Sequence, residues 1–166
     1  MNAYKSLLLL ALMGVSAAGF AAEAEDTPPA PSVFVKKAAL AGMTEVELGK
    51  IALKKSQDPK VREFAQRMVT DHGKANQELA SLAKGIGIEP PSGLDAEHRT
   101  MIANLEREDG AAFDRAYCEH MVLDHTKAIA LFESASKATD PDVAGFAKKT
   151  LPTLKEHKQM ADQLPD

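Results

Sequence analysis

Apolar positions recur along this chain at alternating steps of three and four residues, over stretches far longer than a strand. That is the period of an α-helix with one buried face. From position 33 to about 56, Val33, Leu40, Met43, Glu47 and Ile51 share such a stripe, with Ser32 placed to cap its start. Asp58-Pro59 ends this helix and opens the next: Asp accepts from the free N–H groups of a first turn, and Pro lacks only a hydrogen that has no partner there. A second helix is expected over 59–84, with Val61, Ala65, Met68, His72, Ala75, Leu79, Leu82 and Ile86 on its stripe and Gly85 and Gly87 closing it. Pro90-Pro91 marks a loop, 94–107 a shorter helix and 110–137 a third long one. Asp140-Pro141 repeats the start signal for a fourth, which ends near 164. Its inner stripe is Val143, Ala147, Thr150, Leu154, His157 and Ala161, and Pro152 is expected to bend it. Two hairpins of long helices, each turned at an Asp-Pro and joined by one long crossover with a short helix, describe an all-α four-helix bundle.

Two local repeats support an internal symmetry. Met68-Val69-Thr70-Asp71-His72-Gly73-Lys74-Ala75 returns as Met121-Val122-Leu123-Asp124-His125-Thr126-Lys127-Ala128, and Asp58-Pro59 with Phe64-Ala65 returns as Asp140-Pro141 with Phe146-Ala147. Two copies are too few for a solenoid, so the symmetry belongs inside one bundle.

The composition agrees with helices, since aromatic residues make up 5% and Trp is absent. A basic head, an apolar run over 6–18 and small residues through Ala24 make 1–24 an export signal. Residues 25–31, with Pro28-Pro29 and Pro31, form a flexible leader, and 32–164 is expected to be a single helical-bundle domain. The protein is therefore expected to be periplasmic or secreted, without membrane insertion after cleavage. A net charge of −4 with no Lys/Arg block gives no support for binding nucleic acid. Cys118 is the only cysteine, so no intrachain disulfide exists. No G-x-S-x-G elbow or phosphate loop is found, which argues against a hydrolase.

The chemistry lies in one polar layer. Counted from the Asp58 turn, Glu45 and His72 lie at one level; counted from the Asp140 turn, so do His125 and His157. With the hairpins in register, a mid-bundle layer collects Glu45, Glu47, Asp71, His72, His120, Asp124, His125 and His157. His72 and His157 replace apolar residues on apolar stripes and should point inward. On the third helix, counting alone does not decide between His120 and His125. Adjacent helical residues diverge by ~100°, so one member of each Asp-His pair should support a group on another helix. His98, in the crossover, is placed at the surface.

Gly42-Met43-Thr44-Glu45-Val46-Glu47-Leu48-Gly49, Phe64-Ala65-Gln66-Arg67-Met68-Val69-Thr70-Asp71-His72, Phe113-Asp114-Arg115-Ala116-Tyr117 and Leu151-Pro152-Thr153-Leu154-Lys155-Glu156-His157 resemble motifs of the bacterial family called domain of unknown function 4142. The resemblance implies a ferritin-like fold behind an export signal and brings no activity. The positions it marks are Glu45, Asp71, His72, Asp114, Tyr117, Asp124, His125 and His157. Ferritin-like di-iron sites use Glu-x-x-His, whereas here Val69 and Leu154 stand three residues before His72 and His157.

Three readings follow. A metal-binding bundle would hold a transition metal ion (iron, copper, zinc or manganese) among Glu45, Asp71, His72, His120, Asp124, His125 and His157. A non-enzymatic envelope or stress-related interaction protein, its helices binding a partner, would use the layer as a metal-free buried polar network or a pH-sensitive latch. A redox enzyme would need an open coordination position and is disfavoured by the missing Glu-x-x-His. The protein partner is unknown and homo-oligomerisation is open.

Overall fold

Two Asp-Pro pairs set the frame. The Asp58 carboxylate accepts from the backbone N–H groups of Lys60 and Val61 at 2.8 and 3.2 Å, and that of Asp140 from Asp142 and Val143 at 3.0 and 3.1 Å. Each thus caps a helix whose first residue is Pro. The structure, a computed structural model, describes residues 27–165. Among the described residues there are five α-helices and no strand: α1 (Pro31–Lys55), α2 (Pro59–Gly85), α3 (Ala96–Glu106), α4 (Gly110–Ala135) and α5 (Pro141–Ala161). α1 packs on α2 and α5 on α4; α1 also meets α4, α2 meets α5, and α3 rests on α1 and α4. α5 continues through Pro152. The export signal expected over 1–24 lies outside the described residues. No described helix is long and apolar enough to cross a membrane.

The first helix departs from expectation in two ways. Ser32 is not its cap: Pro31 already occupies the first turn, Ala30 is the cap residue, and the Ala30 carbonyl accepts from Val33 and Phe34. Of the expected stripe, Leu40 and Ile51 are buried and Met43 packs against the core, but its other two members turn outward. Val33 is 43% exposed and Glu47 is a surface residue paired with Lys50 at 2.7 Å, while Phe34, Val35, Ala38, Glu45, Leu48 and Ala52 are buried. α1 packs on α2, α4 and α3 at once, so its buried arc is wider than the single stripe that periodicity selects. Gly49 lets α2 come close, because a Cβ there would lie 2.9 Å from the Ala65 carbonyl oxygen.

The apolar interior falls into two clusters. One gathers Phe34, Leu79, Phe132, Phe146 and Leu154; the other gathers Leu48, Phe64, Met68, Tyr117 and Met121. Along α2, His72 stands between Met68 of one cluster and Leu79 of the other. Along α4, His125 stands between Met121 and Ala128, and along α5, His157 stands between Leu154 and Ala161. A polar layer therefore divides the core.

Candidate metal centre

Each long helix supplies one buried polar group to this layer: Glu45 from α1 (1% exposed), His72 from α2 (6%), His125 from α4 (0%) and His157 from α5 (0%). The three imidazole rings stand 5.2 to 5.5 Å apart, centroid to centroid. One nitrogen from each lies within 4.8 Å of one nitrogen from each of the others.

Each ring is oriented from outside by one acceptor. His125 Nδ1 donates to the Met121 carbonyl one turn earlier at 2.9 Å, which leaves Nε2 as a bare lone pair, fully buried and without a hydrogen-bond partner. His72 Nδ1 lies 2.9 Å from Glu45 Oε2, and His157 Nε2 lies 2.9 Å from Asp71 Oδ2. The remaining nitrogens, His72 Nε2 and His157 Nδ1, face each other at 3.2 Å. One nitrogen tied to a carboxylate or carbonyl and the other directed to a common centre is how imidazoles are fixed around a metal ion.

The electrostatics follow from the same contacts. Burial pushes the Glu45 carboxyl up, but the hydrogen bond and charge of His72, aided by His125 and His157, outweigh it and hold it below the usual range. His72 is the mirror case: burial depresses it, and Glu45 and Asp71 together raise it above an ordinary histidine. Burial lowers His125. It lowers His157 to about 4, even though Asp71 opposes the shift. Asp71 is kept low against its own desolvation by His157 and Arg67. The contacts order the metal-free layer: His157 Nε2 donates to Asp71 and His72 Nδ1 to Glu45, which leaves one proton to close the contact between His72 Nε2 and His157 Nδ1, and an ion bound to both nitrogens would displace it.

The residues expected from sequence divide into three groups. Glu45, Asp71, His72, His125 and His157 come together, and Asp71 supports a histidine of another helix as the ~100° divergence requires. His120 and Asp124 do not join them. They pair with each other along α4 at 2.8 Å, partly exposed. Glu47 faces solvent. Asp114 and Tyr117 lie nearer the start of α4; Asp114 Oδ1 and the Tyr117 hydroxyl are buried without hydrogen-bond partners. Burial pushes the Tyr117 hydroxyl well above the ordinary tyrosine range, with Cys118 and Glu45 adding to it. His98 Nδ1 lies 2.6 Å from Asp95, the cap of α3. The role of Arg67 was missed: it bridges Asp71 at 3.5 Å and Glu156 at 2.8 Å. Its i,i+4 spacing from Asp71 was the available signal.

Comparison with known proteins places this architecture. The sequence matches a family described as a domain of unknown function (DUF4142) over residues 16–164. No curated protein matches it. A solved DUF305 fragment from Deinococcus radiodurans is 18% identical, covering 82% of this chain and 95% of that one, with a TM-score of 0.72. The structure titled CopM in the Cu(II)-bound form is 14% identical, covering 82% of this chain and 96% of that one, with a TM-score of 0.69. At these identities the likeness establishes a shared helical fold.

Proposed function

This chain belongs to the DUF4142 family, and from that premise and the geometry of its core we propose that it binds a transition metal ion through His72, His125 and His157. The observation that carries the reading is the convergence of one nitrogen from each of His72, His125 and His157 in the buried core, with His72 and His157 each held by a carboxylate and the buried Nε2 of His125 without a hydrogen-bond partner. A buried polar atom left unpaired costs about 1–3 kcal/mol, and a metal ion removes that cost. The fit is good in distance as well. Imidazole nitrogens sit about 2.0–2.1 Å from such an ion, so two of them span at most ~4.2 Å; His72 Nε2 and His157 Nδ1 are 3.2 Å apart, and one nitrogen of each ring lies within 4.8 Å of the others, so small ring movements would close the site. Glu45, Asp71 and the Met121 carbonyl orient the rings.

Three imidazoles suit copper, zinc and iron better than manganese, which favours oxygen donors. The Cu(II)-bound state of CopM, a relative in fold, supports copper among these. The ion would supply positive charge and a ligand-binding position, and the role we assign is holding or handling the metal. We further read α1 with α2 and α4 with α5 as the two hairpins of a ferritin-like four-helix bundle, one domain over 32–164. We also read the protein as exported behind residues 1–24, which places it in the periplasm or outside the cell.

A metal-free network is the second reading, favoured by the bonds from Asp71 through His157 to His72. Elemental analysis of protein purified without chelator or affinity tag separates the two. Stoichiometric metal, lost in His72→Ala, His125→Ala and His157→Ala, is the expected result. Protein without metal, with unfolding unchanged by copper, zinc, iron or manganese, would leave the network alone standing.

A further inference from the structure

Three buried imidazoles need a route for the ion, and the groups that hold them differ in access. Glu45 is sealed, its side chain 2% exposed, and Met121 contributes a carbonyl from inside α4, whereas the Asp71 side chain is 31% exposed. Asp71 lines a cleft of about 250 Å3 between α2 and α5, together with Arg67, Lys74, Ala75, Thr150 and Thr153. Ala75 and Thr150 also line an inner cavity of about 20 Å3 that reaches Glu45 and His72. Cleft and cavity thus share a wall of two small side chains. The α2–α5 seam is also the most thinly packed of the four seams between the long helices that meet here. Along the bundle axis the layer is bounded by the two apolar clusters, and the Phe64 ring lies 6.2 Å from that of His125.

On the metal-binding reading, we propose that the α2–α5 cleft is the port through which the ion reaches the three histidines. Asp71 is the positioning carboxylate at its inner end, and Arg67 lies across its mouth. A hydrated cation cannot cross an apolar cluster without losing water that nothing there replaces. In the cleft, the partly exposed Asp71 carboxylate offers an oxygen while solvent still serves the rest of the ion, and it already touches His157. Arg67, held by Glu156 and 3.5 Å from Asp71, places a positive charge on that path.

The test is kinetic. Chelator-treated mature chain is mixed with Cu(II) in a stopped-flow instrument, loading is read by visible absorption, and release is read after adding EDTA. Thr153→Phe fills the cleft at a position that is neither one of the imidazoles nor one of the groups that hold them. It is expected to slow loading and release by the same factor, about tenfold or more, so that equilibrium affinity stays unchanged. Arg67→Ala removes the positive charge beside Asp71 and the bridge to Glu156, and is expected to speed loading several-fold, with circular dichroism confirming that the variant is folded. Val46→Phe, in the separate groove between α1, α2 and the crossover, is expected to leave both rates as they are. Wild-type rates in both Thr153→Phe and Arg67→Ala, with Cu(II) still bound at wild-type affinity, would overturn the port and leave the metal reading intact. Absence of Cu(II) binding to the wild type would overturn both.

Discussion

His157 shows at the residue scale how burial sets chemistry. Its ring is fully buried and its pKa falls from 6.5 to about 4. Between those values the unfolded chain binds a proton that the folded chain refuses, so stability must fall as pH drops through that window. In chelator-treated protein, the expected loss from His157 between pH 6.5 and 4 is on the order of 3 kcal/mol, with His125 acting in the same direction. His72 acts oppositely. Its raised pKa gives a contribution that is complete below pH 6.5 and is lost as pH rises through the folded value. Glu45 and Asp71, both depressed, add further acid sensitivity below their ordinary range. Urea unfolding across pH 4–8 checks this. His157→Gln should flatten the slope between pH 4 and 6.5, and an unchanged slope would mean that His157 is protonated in the fold.

At the element scale, the contact between α1 and α2 depends on a missing side chain. A Cβ at Gly49 would lie 2.9 Å from the Ala65 carbonyl oxygen and 3.0 Å from Val69. Backbone cannot swing aside, so Gly49→Ala should push the two helices apart and cost about 1–3 kcal/mol, read by thermal unfolding. Gly145 in α5 is the contrasting case, with nothing within 4 Å of a built Cβ. There Gly145→Ala should stabilise by about 0.5–1 kcal/mol through the entropy of the unfolded chain and the helix preference of Ala. Equal effects at the two glycines would contradict the close approach. Because Glu45 on α1 orients His72 on α2, Gly49→Ala should also weaken metal binding.

For the whole molecule, the polar layer between two apolar clusters ties the metal to the fold. His72, His125 and His157 come from three helices, so an ion bound to all of them joins α2, α4 and α5. The unfolded chain has no such site. Free metal at a hundred times its dissociation constant should therefore stabilise the protein by about 2.7 kcal/mol, seen as a rise in Tm that EDTA reverses. The three single His→Ala variants should each lose that rise. A rise that persists in all three would locate binding elsewhere, the partly exposed His120–Asp124 pair being the place to look.

Much of this was legible in the chain because its signals are local. The Asp-Pro starts act on backbone within three residues of themselves, so they place α2 and α5 without any knowledge of packing. The apolar stripes of α2 and α5 run straight enough that a histidine interrupting each one had to point inward, and equal counts from the turns set Glu45 level with His72. Other features depend on which neighbour a helix meets. α1 lies against both α2 and α4, which turned Val33 and Glu47 outward and brought Glu45 in. Two histidines of α4, His120 and His125, were equally available, and only the packing of α1, α2 and α5 around α4 chose His125. The Met121 carbonyl that fixes its tautomer has no side-chain signature, and the Arg67–Glu156 bridge joins helices far apart in sequence. The sequence by itself determined the helices, their turns and the residues rich enough in chemistry to form a site. The tertiary structure alone decided which of those residues share one centre, because convergence is a property of facing helices and no single helix carries it.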